Sequence, residues 1–357
     1  MFARAILLLG ASLMWAAPAI AQMAGAPLVL EKKIPLGEVS GRIDHLGIDV
    51  KRRRLFVAEF GNDSLGVVGL AAGKVLRTIG GFSEPQGVAY VALADSVYVA
   101  NGGDGSVRAL RGEDFAPIGR IELGEDADNV RVDVARNRVL VGYGKGALAV
   151  IDPAIRAKAG EHRLDGHPEG FQIDESGTRI FVNVPDAREI EVVDLATGTN
   201  RTLPTEGAGS NFPMAIDRDA RRILVVFRSP PTLMALSSQD GHVVTKTRAC
   251  SDADDVFVDA ARHRVYVSCG EGAVDVLGQG SAAIAASRVC PRYRAPAHRC
   301  SCPSSTGFLW RCGQGPARRP RSGCSGRRHE GHAGHRGAGA GGRARRLVRH
   351  GAGQSSI

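Results

Sequence analysis

The 357 residues carry a formal net charge of +9, but the excess is local. From Arg288 to the end there are fifteen arginines, no lysine and one acid, Glu330, so residues 1–287 are net acidic. A basic surface over the whole protein is thereby excluded, and no segment after the N-terminal one is long and apolar enough to span a bilayer.

Residues 1–21 read as a secretory signal. Arg4 supplies the positive charge, Ala5 to Ala17 the apolar stretch, and Ala19-Ile20-Ala21 the small-x-small cleavage site before Gln22. The apolar run is short for a span of ~20 residues. The mature chain is therefore expected to be periplasmic or secreted. Leu28 to Leu36 reads as a strand that joins the last blade of the fold described next.

From Arg54 a unit repeats: Arg54-Leu55-Phe56-Val57-Ala58, Val97-Tyr98-Val99-Ala100-Asn101, Arg138-Val139-Leu140-Val141-Gly142, Arg179-Ile180-Phe181-Val182-Asn183, Arg222-Ile223-Leu224-Val225-Val226 and Arg264-Val265-Tyr266-Val267-Ser268. The central residues 56, 98, 140, 181, 224 and 266 are spaced by 42, 42, 41, 43 and 42. In five copies an Asp precedes the Arg by five positions: Asp49, Asp133, Asp174, Asp217 and Asp259. A polar turn lies between, so the unit is strand, turn, strand, with the Arg closing the turn. Two further strand-like runs follow each copy, as in Ala147–Asp152 and Glu189–Leu195.

A period near 42 with about four strands per unit is the signature of an all-β, β-propeller fold. Blades stack face to face, which explains runs apolar on both faces such as Ile180-Phe181-Val182. Tyr98-Val99-Ala100-Asn101 and its copies resemble the YVTN-type seven-bladed propellers of secreted bacterial proteins, over about residues 28–280. The resemblance implies a fold and an export route. It implies no particular chemistry, because propellers host enzymes, binders and scaffolds.

In such a ring the innermost strands line an axial channel. Five residues before the repeat Asp stand Asp44, Gln86, Asp128, Glu169, Phe212 and Asp254, with His45, Asn129 and Asp255 adjacent. These are the candidate ligand residues at the channel mouth, an acidic ring suited to Ca2+ or another divalent cation, or to a cationic or sugar-like ligand. The bland alternative is that they form turns and bond neighbouring backbone. Glu59, Asn101, Tyr143, Asn183, Arg228 and Cys269 end the second strands and are placed near the same mouth. His162 and His167, five apart, read as a solvated loop. No cofactor, catalytic residue or Gly-x-Ser-x-Gly is assigned.

Cys250 and Cys269 bracket the first two strands of the sixth copy, and antiparallel pairing brings them together; in an exported protein a disulfide follows. Beyond about Ser281 the composition changes, and five of the seven cysteines fall there. A disordered Arg/Gly-rich tail that binds nucleic acid is one reading. A one-base frameshift in a GC-rich gene is the preferred one. Reading each codon one base earlier permits LFVPELDRLLVAV across Cys300–Cys312, which is the repeat with its Arg in the slot of Gly307. The same shift permits GGYRRIARV across Ser281–Val289.

The expected organisation is a signal peptide (1–21), a propeller with six recognisable blades (22–280) and an out-of-frame tail (281–357). The intact form would have seven blades, and blade six here would lack its outer strand. The expected function is a binding or protein-interaction module of the cell envelope, with a small ligand or an envelope protein as partner and no nucleic acid. The alternative is a metal-dependent, lactonase-like hydrolase acting at the channel.

Overall fold

The computed structural model describes residues 27–279 and 284–289, with residues 279 and 284–289 described as backbone only. The signal-peptide reading and most of the tail lie outside these residues. Twenty-four strands form six four-stranded antiparallel meanders, each a blade of a β-propeller. The first and second strands of the blades are Leu46–Asp49 and Arg54–Glu59, Pro85–Val91 and Ser96–Asn101, Ala127–Asp133 and Arg138–Tyr143, Phe171–Ile173 and Arg179–Val184, Gly209–Asp217 and Arg222–Ser229, and Ala253–Asp259 and Arg264–Cys269. No helix among the described residues is long and apolar enough to cross a membrane.

The repeat Asp has one local task in all five copies. Its Oδ1 accepts a turn N–H, from Arg52 (3.0 Å), Arg136 (3.1 Å), Thr178 (2.8 Å), Ala220 (3.1 Å) and Arg262 (3.1 Å). This is the Asx-type bond that lets Asp start a tight turn. The repeat Arg returns to the same carboxylate in blades one, three and four: Arg54 at 2.7 Å, Arg138 at 2.7 Å and Arg179 at 3.1 Å. In blade six Arg264 instead donates to the Pro27 carbonyl at 3.0 Å.

Each pair of adjacent blades from one to six shares an apolar core. Phe56 and Leu65 of blade one pack with Val88, Val97 and Val99 of blade two. Phe181 and Ile190 of blade four pack with Met214, Val225 and Phe227 of blade five. Each such buried side chain contributes roughly 1.5–3 kcal/mol before ordering entropy is subtracted. Near the axis, adjacent first strands touch through backbone. Gly170 N–H donates to Phe212 O at 2.9 Å, and His45 N–H to Gln86 O at 3.2 Å. A Cβ on Gly87 would lie 2.1 Å from Asp128 O, so only glycine permits that approach.

Two expectations are corrected. Blade six does not lack its outer strand: Ile284–Val289 pairs antiparallel with Ala273–Gln279. Outer strands elsewhere are mostly exposed or half-buried, as in Lys74–Gly80, so their pairing is mostly backbone and tolerates many sequences. Second, Leu28–Leu36 is not a strand. Val29 makes one isolated bridge, Leu28 is buried, and the remainder is irregular. The segment runs from Pro27 beside Arg264 of blade six to Lys32, whose side chain reaches over Gly73 of blade one.

The first strands pack side by side from blade one through blade six. The faces that would meet between blades six and one are uncovered. Leu46 and Ile48 on blade one are 41% and 49% exposed, and Phe257 on blade six is 53% exposed. The residues equivalent to Leu46 in the other blades, Val88, Val130, Phe171, Met214 and Val256, are all buried.

Candidate functional site

Equivalent first strands bring their N-terminal ends to one mouth of the axial channel, and the candidate residues fall there. Blade three supplies Asp128 and Asn129. Blade one supplies Asp44 and His45 just before its first strand. Blade four supplies Glu169 from the loop into Phe171–Ile173, and blade six supplies Asp254 and Asp255.

Asp128 is the centre of the group. It is 5% exposed, and its Oδ1 has no hydrogen-bond partner among the described residues. That oxygen lies 3.9 Å from His45 Nε2, and Oδ2 lies 3.9 Å from His167 Nε2. His167 Nδ1 stands 2.6 Å from the Gly144 carbonyl; because a carbonyl only accepts, Nδ1 carries the proton and donates. Asp128, His167 and Glu169 each present a ligand atom within 4.8 Å of the others.

The charges are strongly coupled. Asp128, then the Gly144 carbonyl, raise the His167 pKa to about 9 against the opposing effect of burial. Burial, then the Asp128 charge, raise that of Glu169 to about 8. Burial raises Asp44 as well, with His45 opposing.

The ring is not purely acidic. Arg131, in the middle of the first strand of blade three, reaches into the channel; burial draws its pKa down while Asp255 and Asp128 oppose. Arg228 donates to Asp254 at 2.8 Å and to the Ala253 carbonyl, and covers the Phe212 ring at 4.1 Å. A cavity of about 20 Å³ is bounded by His45, Asn129, Arg131, Glu169, Phe212 and Asp255. A water needs ~10–15 Å³, and organic ligands need several hundred. Anything larger than water or a bare ion therefore sits on the mouth, above the channel.

The remaining candidates are one step removed. Gln86 donates to Asp126 at 3.0 Å, whose other oxygen lies 3.8 Å from His167 Nδ1. Asn129 is buried, with Oδ1 unpartnered among the described residues. Asp255 accepts from the Val256 N–H at 2.9 Å. Among residues ending the second strands, Arg228 and Asn183 reach the mouth, Asn183 by donating to the Phe212 and Pro213 carbonyls. Glu59, Asn101 and Tyr143 do not join the group: Glu59 bonds Ser64, Asn101 bonds Ser106, and Tyr143 bonds Glu161 and Lys158. Cys269 is bonded to Cys250, with Cα atoms 6.1 Å apart.

The reading of His162 and His167 as one solvated loop is corrected. His162 lies in the outer strand Ala157–Arg163, where burial lowers its pKa, and His167 faces Asp128. The available signal was position: His167 stands two residues before the Glu169 slot. Arg131 was equally visible as an ionisable residue where the neighbouring blade carries Ala89, and Arg228 is one of the second-strand ends that the repeat already placed near the mouth.

Fold and site together define a β-propeller with a charged, partly buried axial mouth. No family model and no curated protein matches the chain. Its fold is similar to that of a solved structure titled Kuenenia stuttgartiensis hydrazine synthase, with a TM-score of 0.59 and 16% identity over 68% of this chain and 78% of that one. At that identity the likeness concerns the fold alone.

Proposed function

We propose that this propeller, a YVTN-like one by its repeat, is an exported binding or interaction module of the cell envelope that takes its ligand at the axial mouth. The observation that carries the reading is convergence: His45, Asp128, Glu169 and Asp254 come from four blades to one mouth, and Arg228 from a fifth. Turn formation does not explain that grouping, since the repeat Asp residues already perform it. The Cys250–Cys269 bond fits an oxidising compartment, as the Arg4–Ala21 segment does.

The test is a thermal-shift screen of small polar metabolites in EDTA, repeated on R228A and D254N at the mouth and on D240N at the surface. A stabilising compound that loses its effect in both mouth variants and keeps it in D240N supports the reading. Compounds acting equally on all variants would overturn it.

We also infer that the in-frame gene product fills the space between blades six and one with a seventh blade. Exposed Leu46, Ile48 and Phe257 support this, together with the shift in composition near Ser281.

A further inference from the structure

We propose that Asp128, His167 and Glu169 form a site for a divalent first-row metal ion such as Zn2+, with His45 on its open side. The proposal rests on the mouth being the binding site and names its occupant. Donors bound at about 2.1 Å from one ion stand at most about 4.2 Å apart. In a tetrahedral site the spacing is about 3.4 Å, and the three ligand atoms already lie within 4.8 Å of one another, so side-chain movements of about an ångström close the site.

Two further features point to a ligand. Asp128 is almost wholly buried; its Oδ2 faces His167 Nε2, and its Oδ1, which lacks a hydrogen-bond partner among the described residues, faces His45 Nε2 on the open side at 3.9 Å. A buried carboxylate oxygen left unpaired is costly, and a cation bound there would satisfy it. His167 is also set as metal-ligating histidines usually are. Nδ1–H is anchored on a backbone carbonyl, which leaves Nε2 to face the carboxylates. The Nε2–Oδ2 separation of 3.9 Å is too long for a direct hydrogen bond and suits two donors sharing an ion.

The donor set selects the ion class. Ca2+ takes six to eight oxygens in protein sites. Here an imidazole shares the site with two carboxylates, and a second imidazole stands across it, a set that suits Zn2+, Mn2+ or Fe2+. Arg131 donates to the Val130 carbonyl at 2.9 Å, and Asp255 as well as Asp128 opposes the effect of its burial.

The full chain, stripped with EDTA and dialysed, is titrated with Zn2+ and Ca2+ by calorimetry and with Co2+ by visible absorption. One equivalent of Zn2+ binds, Co2+ gives d–d bands of a nitrogen–oxygen site, and Ca2+ binds at least tenfold more weakly. H167Q and E169Q, each checked for an unchanged far-UV spectrum, lose tenfold to a hundredfold in affinity, while H242Q at the exposed His242–Asp240 pair leaves it unchanged. No stoichiometric Zn2+ binding by folded protein, equal binding by H167Q, or preference for Ca2+ would each overturn the proposal. A ligand found by the metabolite screen in EDTA would leave the mouth reading intact even if the metal failed.

Discussion

Arg54 holds the Asp49 carboxylate at 2.7 Å across the first turn of blade one, and both side chains are buried. The same Asp accepts the Arg52 N–H, so one carboxylate shapes the turn and neutralises a guanidinium inside the ring. Arg54 also donates to the Gly112 carbonyl of blade two at 2.7 Å, which ties the turn to its neighbour.

Removing Asp49 strands that guanidinium. D49A is expected to cost about 3–5 kcal/mol, the usual penalty for orphaning a buried charge. The double variant D49L/R54M should lose less than D49A, because no charge is left behind. Urea unfolding of both decides it; equal losses would mean that the turn N–H bond, rather than the ion pair, sets the cost.

Low pH attacks the same element. The Arg52 N–H and the Arg54 and Arg52 guanidinia hold Asp49 below its ordinary value despite burial, and Asp174 is lowered similarly by its turn bonds. A depressed carboxylate contributes stability above its unfolded pKa and loses it as pH falls through the folded one. The melting temperature should therefore drop below about pH 4, with D174N flattening that limb.

At the mouth the sign is opposite. In EDTA, His167 contributes fully below its ordinary 6.5 and loses that contribution as pH rises through about 9. Glu169, raised from 4.5 to about 8, binds a proton in the folded state that the unfolded chain releases earlier, so its contribution also falls over that range. Thermal stability of metal-free protein should decline from about pH 6 to about pH 9. The H167Q/E169Q double variant should show a flatter curve, and a slope unchanged by both substitutions would contradict the coupling.

The disulfide closes a loop with a sequence separation of 19. Loop-closure entropy then predicts that C250S/C269S loses about 3 kcal/mol. Denaturant unfolding with and without reductant measures it, and reductant should have no effect on the variant.

The uncovered faces predict a context-dependent variant. F257S should cost under ~0.5 kcal/mol in this chain, as surface changes do. In a chain with the reading frame restored after codon 280, the same change should cost several-fold more, because Phe257 would then be interblade core. Sequencing the source DNA through codons 275–290 is the direct check on the frame; an unbroken, correctly read frame would remove the basis for a seventh blade.

The residues alone determined the ring. A spacing near 42 with doubly apolar central strands leaves each unit unable to bury both faces, so units must stack, and Phe56, Leu140 and Phe181 occupy matching buried stations. The Cys250–Cys269 pair was equally legible, because antiparallel register brings those strand ends together. The slots of Asp44, Asp128, Glu169 and Asp254 followed from the period as well. Only the tertiary structure placed His167 and Arg131 beside them and singled out Arg228 and Asn183 among the second-strand ends. A repeat fixes strand register, but it does not fix the path of a connecting loop such as Asp165–Gly170, nor which long cationic side chain bends toward the axis. Those choices depend on contacts between blades far apart in sequence, where one carboxylate, Asp128, faces imidazoles from both sides.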